Sequence, residues 1–267
     1  MTRQNAGAAG VAADEGVPTN EVVAGNGGVV AGGDALTVAS VSAGFGPLTI
    51  LHDISFSVHP GEVVVILGAN GAGKTTLLRV IAGLVPVRQG EIHLRGVPIH
   101  GRPAHLVTRL GIGHVPSGRE LFPKMSVADH LFIASRLCAP ARREAVRKRV
   151  FGMFPILEAR AQQLAGTMSG GQQQMVAIAR ALMTDPKVLL LDEPSTGLAP
   201  IAVKAVFETL PRLREQGVST ILAEQSLTLG LSYADRAFVM DHGQIVLSGT
   251  TRDLENDRRV VDTYLGR

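Results

Sequence analysis

Cysteine occurs once in the 267 residues, as Cys138, and tryptophan not at all. A lone thiol excludes an internal disulfide and a four-cysteine zinc site, and it fits a reducing, cytoplasmic setting. Aromatic residues make up only 4% of the chain, and none interleaves with basic residues as a stacking platform for nucleic acid requires. The formal charge of +3 is a small excess, so no nucleic-acid partner is expected. Long apolar runs are also missing. VVVIL at 63–67 and VLLL at 188–191 fall far short of the ~20 residues that cross a bilayer as a helix. What is present, 45% hydrophobic residues against 18% charged, is enough for a sizeable buried core.

Residues 1–34 are rich in Gly and Ala, with valine as the recurring larger apolar residue, and show neither helical nor strand periodicity. They are expected to form a disordered tail. Asp14, Glu15 and scattered glycines interrupt any candidate signal-peptide core, so export is not expected. From residue 35 to 267 the pattern is that of one domain. Apolar runs at 36–41, 54–58, 63–67, 111–115, 188–191, 218–223, 237–240 and 244–247 read as strands, several of them apolar on both faces as in a parallel sheet. Helical stretches follow Gly73 and Ser169, and a mostly helical insertion spans about 128–163. One more helix is expected from Ile201 to Gln216, stopped by Gly217 and open to a kink at Pro211. The fold class expected is α/β, with a mostly parallel core sheet, an antiparallel β portion at the start, and the helical insertion.

The strongest motif is GANGAGKTT at 68–76, between the strand VVVIL and a helical run. Gly68, Gly71 and Gly73 let successive N–H groups turn inward around phosphates, Asn70 shares the loop, and the following helix adds its positive end. Lys74 would hold the β- and γ-phosphates, Thr75 would ligate magnesium, and Thr76 follows in the first turn. The alternative is a glycine-rich turn with an exposed lysine. Downstream, LLLDEP ends an apolar strand in two carboxylates. Asp192 would hold Mg²⁺ through water, and Glu193 would polarise the attacking water as general base. A solvated carboxylate pair is the plainer reading of that segment taken alone.

A phosphate loop, then MSGGQ at 168–172 leading a helix, then LDEP at 191–194 resembles, in that order, the nucleotide-binding subunits of ABC transporters. The resemblance covers residues 36–267 and implies an ABC-type P-loop fold with a helical subdomain at about 117–175. It also implies ATP hydrolysis with Mg²⁺ and a head-to-tail dimer of two ATP-binding subunits, homo- or heterodimeric. In that arrangement Ser169, Gly170, Gly171 and Gln172 cap the ATP held by a second subunit, which explains why one chain carries two phosphate cradles. The alternative is a helix-capping serine beside a glycine-rich loop. By the same resemblance Phe45 stacks on adenine, with a core phenylalanine as the rival.

Two positions depart from the common family pattern. Ser117 occupies the place of the usual glutamine, in the loop from Ser117 to Met125 that contacts membrane partners, and Gln225 replaces the switch histidine. Glutamine can donate and accept hydrogen bonds but cannot carry imidazole's proton. The aspartate usual after Leu198 is also absent, where Ala199 stands. VPSGRELFPKMSV, DEPSTGLAPI and AEQS together resemble the ATP-binding subunit of branched-chain amino acid importers that reads Glu-Gln at the switch. Urea and amide importers share much of this pattern, and a non-transport ABC ATPase is the other alternative. The catalytic set expected is Glu193, Lys74 and Gln225. The expected partners are a second ATPase subunit, transmembrane permease subunits and, indirectly, a substrate-binding protein, at the cytoplasmic face of the membrane. The basic run from Arg142 to Arg149 reads as a solvated helix face or, alternatively, as a neighbour of anionic lipid.

Overall fold

The structure is a computed structural model that describes residues 33–255. The tail expected over residues 1–34 lies outside it but for its last two residues. The chain runs β1 (Leu36–Phe45), β2 (Leu48–Val58), β3 (Val63–Leu67), α1 (Lys74–Ile81), β4 (Val87–Leu94), β5 (Val97–Pro98), α2 (Ala104–Leu110) and β6 (Ile112–Val115). Next come α3 (Val127–Ser135), α4 (Arg143–Met153), α5 (Pro155–Ala159), α6 (Gly170–Leu182) and β7 (Val188–Asp192). They are followed by α7 (Pro200–Phe207), α8 (Thr209–Glu215), β8 (Ser219–Glu224), α9 (Leu227–Tyr233), β9 (Arg236–Asp241), β10 (Gln244–Thr250) and α10 (Thr251–Glu255).

Two sheets organise these elements. An antiparallel sheet has the order β2-β1-β4-β5, and a six-stranded sheet has the order β10-β9-β3-β8-β7-β6. In the second, β3 pairs in parallel with β8 and β9, and β7 with β8 and β6, while only β10 is antiparallel. The reason for the fully apolar strands is visible in β3. Val63, Val65 and Leu67 enter one core cluster, against α6, α8 and α9, while Val64 and Ile66 enter the other, against the antiparallel sheet and α1. A strand covered on both faces has no position left for a polar side chain.

One expectation is corrected, and several elements had no counterpart in the sequence pattern. The helix read over 201–216 is two helices, α7 and α8, meeting at Glu208. Pro211 has no N–H for the Phe207 carbonyl four residues back, so the ladder breaks one turn ahead of the proline. Thr209 Oγ1 donates to the Val206 carbonyl at 2.6 Å and restores one bond at the break. Strand β4 was not expected. Its residues from Arg88 to Glu91 are exposed, so the run lacks an apolar signature, and it pairs with β1 across a register shift. The short helices α2, α9 and α10 likewise escaped the apolar pattern.

The basic run has a structural use that composition does not reveal. Arg142 and Arg149 both pair with Asp185, Arg149 at 2.9 Å, and tie α4 to the turn before β7. Arg143 Nε donates to the carbonyls of Ser135 and Cys138 just past α3, and Arg147 pairs with Glu144. Four of its five cations are therefore committed to contacts within the chain, which weakens the lipid-facing reading.

Candidate nucleotide site

Strands β3, β8, β7 and β6 lie side by side and parallel, so the loops at their carboxyl ends converge on one edge, where open α/β sheets bind ligands. From β3 comes the loop 68–73. Gly71 and Gly73 adopt φ of 86° and 106°, a left-handed backbone that glycine enters without cost from a side chain. Gly73 is also the N-cap of α1 and offers no side-chain bond to its first turn, which leaves those N–H groups free for an anion. Asn70 and Gly71 are exposed on the crest of the loop, and Thr76 is half-buried within α1.

Lys74 is 4% exposed, which removes the reading as a surface lysine. Its Nζ donates to the carbonyls of Gly68 at 2.8 Å and Ala69 at 3.1 Å, and lies 3.4 Å from Glu193 Oε1. Thr75 Oγ1 donates to Asp192 Oδ1 at 3.0 Å, joining the phosphate loop to the end of β7. Burial pushes the Asp192 carboxyl above its ordinary range, against hydrogen bonds from Thr75 and the Ser117 main chain, and the charge of Glu193 pushes it further the same way. No cationic side chain lies within ion-pair distance of Asp192 among the described residues. A desolvated carboxylate beside a hydroxyl is a donor set that suits a hard divalent cation.

Glu193 takes φ of 46°, uncommon for a residue with a side chain, and is held there by its N–H bond to the Ala223 carbonyl at 2.9 Å. Thr196 Oγ1 donates to Glu193 Oε2 at 3.4 Å. Behind it stands Glu224, which the sequence offered only as part of AEQS, without a role of its own. Its carboxylate ends β8, is 2% exposed, and accepts from Ser195 N at 3.2 Å and Ser195 Oγ at 3.0 Å. Burial raises its pKa, and the bonds from Ser195 and Gln225 partly offset that. Glu224 thus braces the turn that carries Glu193. A second core strand ending in a carboxylate, ILAE, was the signal available. Gln225 follows, exposed at the same edge.

Ser169 and the segment after it stand apart. Ser169 is the N-cap of α6 in a capping box: its Oγ accepts from Gln172 N at 3.4 Å, while its N–H donates to Gln172 Oε1 at 3.1 Å. The capping role is therefore real. It uses only an acceptor lone pair of the hydroxyl, so the O–H remains a donor for another group, as do the first-turn N–H groups of Gly170 and Gly171. A Cβ on Gly171 would lie 2.5 Å from that of Ala202, so glycine here also lets α6 close on α7. Among the described residues no hydrogen bond or ion pair links Ser169–Gln172 to the phosphate loop. Phe45 ends β1 with 47% of its surface exposed, outside the core.

A groove of about 480 Å³ lies among β6, α3 and α6, lined by His114, Phe122, Met125, His130, Ile133 and Arg136 among others. His114 Nε2 is buried without a partner, and burial, followed by the charges of Arg79 and Arg180, lowers its pKa from 6.5 to about 4. The unfolded chain takes up this proton at about 6.5, the folded one only near 4, so stability is complete above 6.5 and is lost as pH falls through that window. Denaturant unfolding is expected to show that His114→Gln removes up to about 3 kcal/mol of the loss between pH 7 and pH 4. Equal pH dependence in both chains would contradict the assignment.

Comparison with known proteins places this geometry in context. A protein family described as ABC transporter matches residues 51–196. The high-affinity branched-chain amino acid transport ATP-binding protein BraG of Pseudomonas aeruginosa is 42% identical over 231 residues, covering 86% of this chain and 99% of that one. The phosphonates import ATP-binding protein PhnC of Trichormus variabilis is 39% identical, covering 77% and 88%. Among solved structures, the ADP conformation of an ATP-binding cassette of an ABC transporter superposes with a TM-score of 0.77 at 28% identity, covering 88% and 99%.

Proposed function

The chain belongs to the ABC transporter family and is an ATPase, and we propose that it energises uptake of branched-chain amino acids through separate membrane subunits. The observation that carries the mechanism is the meeting of Lys74, Thr75, Asp192 and Glu193 at the ends of β3 and β7. In this reading Lys74 Nζ exchanges the Gly68 and Ala69 carbonyls for β- and γ-phosphate oxygens, and the N–H groups of the loop and of α1 hold the remaining charge. Glu193 orients a water molecule and takes its proton as the oxygen attacks the γ-phosphorus, with ADP as leaving group. A magnesium ion held by Thr75 and Asp192 would neutralise phosphate charge. Phe45, exposed at the end of β1, offers its ring to adenine.

A second chain completes each site. Ser169 O–H and the N–H groups of Gly170 and Gly171 are spare donors at a helix N-terminus, and their separation from the chain's own phosphate loop supports a role toward the ATP of a partner. Gln225 would sense the γ-phosphate by hydrogen bonding alone. Gln225→Ala is expected to lower kcat about tenfold or more with little change in ATP affinity, since the contact is one of transition-state geometry rather than charge. Steady-state turnover beside a nucleotide titration reads the two apart, and a large affinity loss with normal kcat would contradict it.

Membrane subunits would dock at the loop from Ser117 to Met125 and the insertion, where Phe122, Phe132 and Ile133 are 64%, 62% and 55% exposed. No helix among the described residues is long and apolar enough to cross a membrane, so attachment to the cytoplasmic face would come through those subunits, with a substrate-binding protein acting beyond them. The cargo reading is supported by the near-complete match to BraG, while PhnC shows that similar chains serve other cargo. Uptake of labelled leucine by source cells whose own copy carries Lys74→Ala tests it, with urea and an unrelated amino acid as controls. Selective loss of leucine uptake is expected, and unchanged leucine uptake would contradict the cargo assignment.

A further inference from the structure

The hairpin that carries Phe45 outruns its sheet. Strand β1 pairs with β4 only as far as Ala43, opposite Val87 where β4 begins, so residues 44–49 form a two-stranded tip. The pairing is irregular there, with register shifts on both sides of Ala43, and Gly46 turns the chain at φ of 50°. Two strands without a third are marginal in water, so such a tip needs another hold. Arg88, the residue after Val87, supplies it. Its Nη1 donates to Thr49 Oγ1 at 2.8 Å, and its Nη2 to the carbonyls of Gly46 at 2.5 Å and Leu48 at 3.0 Å. These residues flank the pair Phe45↔Leu48 that closes the hairpin. The base of the same hairpin rests on the phosphate loop. A Cβ on Gly73 would lie 3.1 Å from Leu51 Cδ2, and Gly243 donates to the Ala72 carbonyl and accepts from the His52 N–H, both at 2.9 Å. From Leu51 to Leu48, the partner of Phe45, is about 10 Å of strand.

We propose that Arg88 is a positioning residue for nucleotide binding, its guanidinium holding the Phe45 ring where it receives the base of the nucleotide seated in the phosphate loop. The inference rests on the reading of Phe45 as the adenine contact given above. Arg88 acts through the tip and does not itself touch the nucleotide. Without its fork the exposed ring samples many placements, and the apparent affinity falls by the fraction of chains in which the ring stands ready. A lysine would keep the charge but not the planar fork that bonds two carbonyls and a hydroxyl in one fixed geometry.

Calorimetric titration of the full chain with Mg·ADP, and with inorganic pyrophosphate as a probe that has no base, tests this. Phe45→Ala is expected to weaken ADP binding by about tenfold, a typical loss for one stacked base. Arg88→Ala is expected to weaken it by about fivefold, in the range of one or two hydrogen bonds, and Arg88→Lys by nearly as much. The double variant of Phe45→Ala and Arg88→Ala loses no more than Phe45→Ala alone, because the fork has no ring left to place. Pyrophosphate binds every variant as it binds the native chain. Losses that add in the double variant would mean that Arg88 touches the nucleotide or supports the site at large, and would overturn the proposal. An equal loss for pyrophosphate would do the same, as would native ADP affinity in Arg88→Ala or Arg88→Lys. Native ADP affinity in Phe45→Ala would instead overturn the adenine reading, and the proposal with it, so the two failures are told apart.

Discussion

Glutamine in place of Glu193 is expected to cut kcat by about 10²- to 10⁴-fold, the usual contribution of a positioned general base, while ATP affinity changes by no more than about twofold. The backbone at this position is set by the bond from Glu193 N–H to the Ala223 carbonyl and by the Glu224 brace on Ser195, neither of which involves the altered side chain. Glutamine keeps the shape of glutamate, and its carbonyl oxygen can still accept from Lys74 Nζ, which lies 3.4 Å from Oε1. What it loses is the ability to accept a proton from water. Single-turnover kinetics beside a nucleotide titration separates the two quantities. A variant that turns over within tenfold of the native chain would remove Glu193 from the role of base.

Lys74→Ala is expected to weaken ATP binding by about 10²-fold or more. Hydrogen bonds to charged groups contribute roughly 1.5–3 kcal/mol each, and Lys74 would make them to two phosphates. The side chain is already buried and directed at the loop carbonyls of Gly68 and Ala69, so no ordering of a surface lysine offsets that gain. Its removal also leaves Glu193 without its cation partner. Titration with a fluorescent ATP analogue reads the affinity, and thermal melting confirms that the variant is folded. Affinity within tenfold of native would mean that the main-chain N–H groups alone carry the phosphate.

What the residues disclosed follows from how local each feature is. The phosphate loop, LDEP and MSGGQ are contiguous segments whose glycines, hydroxyls and carboxylates act through a main chain shaped within a few residues, so pattern alone locates them. The unbroken apolar run of Val63 to Leu67, buried at every position, is similarly local, which is why the core strands were legible. The order β3-β8-β7-β6 is not, because it depends on which strands pair across long separations in sequence. The bracing role of Glu224 and the contacts of Arg119 stayed hidden for that reason: Glu224 gains its role from Ser195, 29 residues away, and Arg119 bonds Gln173, Gln174 and Arg180 of α6, up to 61 residues away. The strand β4 was missed because its exposed residues carry no apolar face, and the break expected at Pro211 falls instead at Glu208 because a proline acts on the carbonyl four residues before it.

The central claim, that two chains share two ATP molecules, is tested most directly by light scattering of purified Glu193→Gln with and without ATP. Slow hydrolysis should leave the closed form populated, and the mass is predicted to rise from the 28.0 kDa of one chain to about twice that when ATP is added, and to return when it is removed. A mass that stays at 28.0 kDa in saturating ATP would contradict the account.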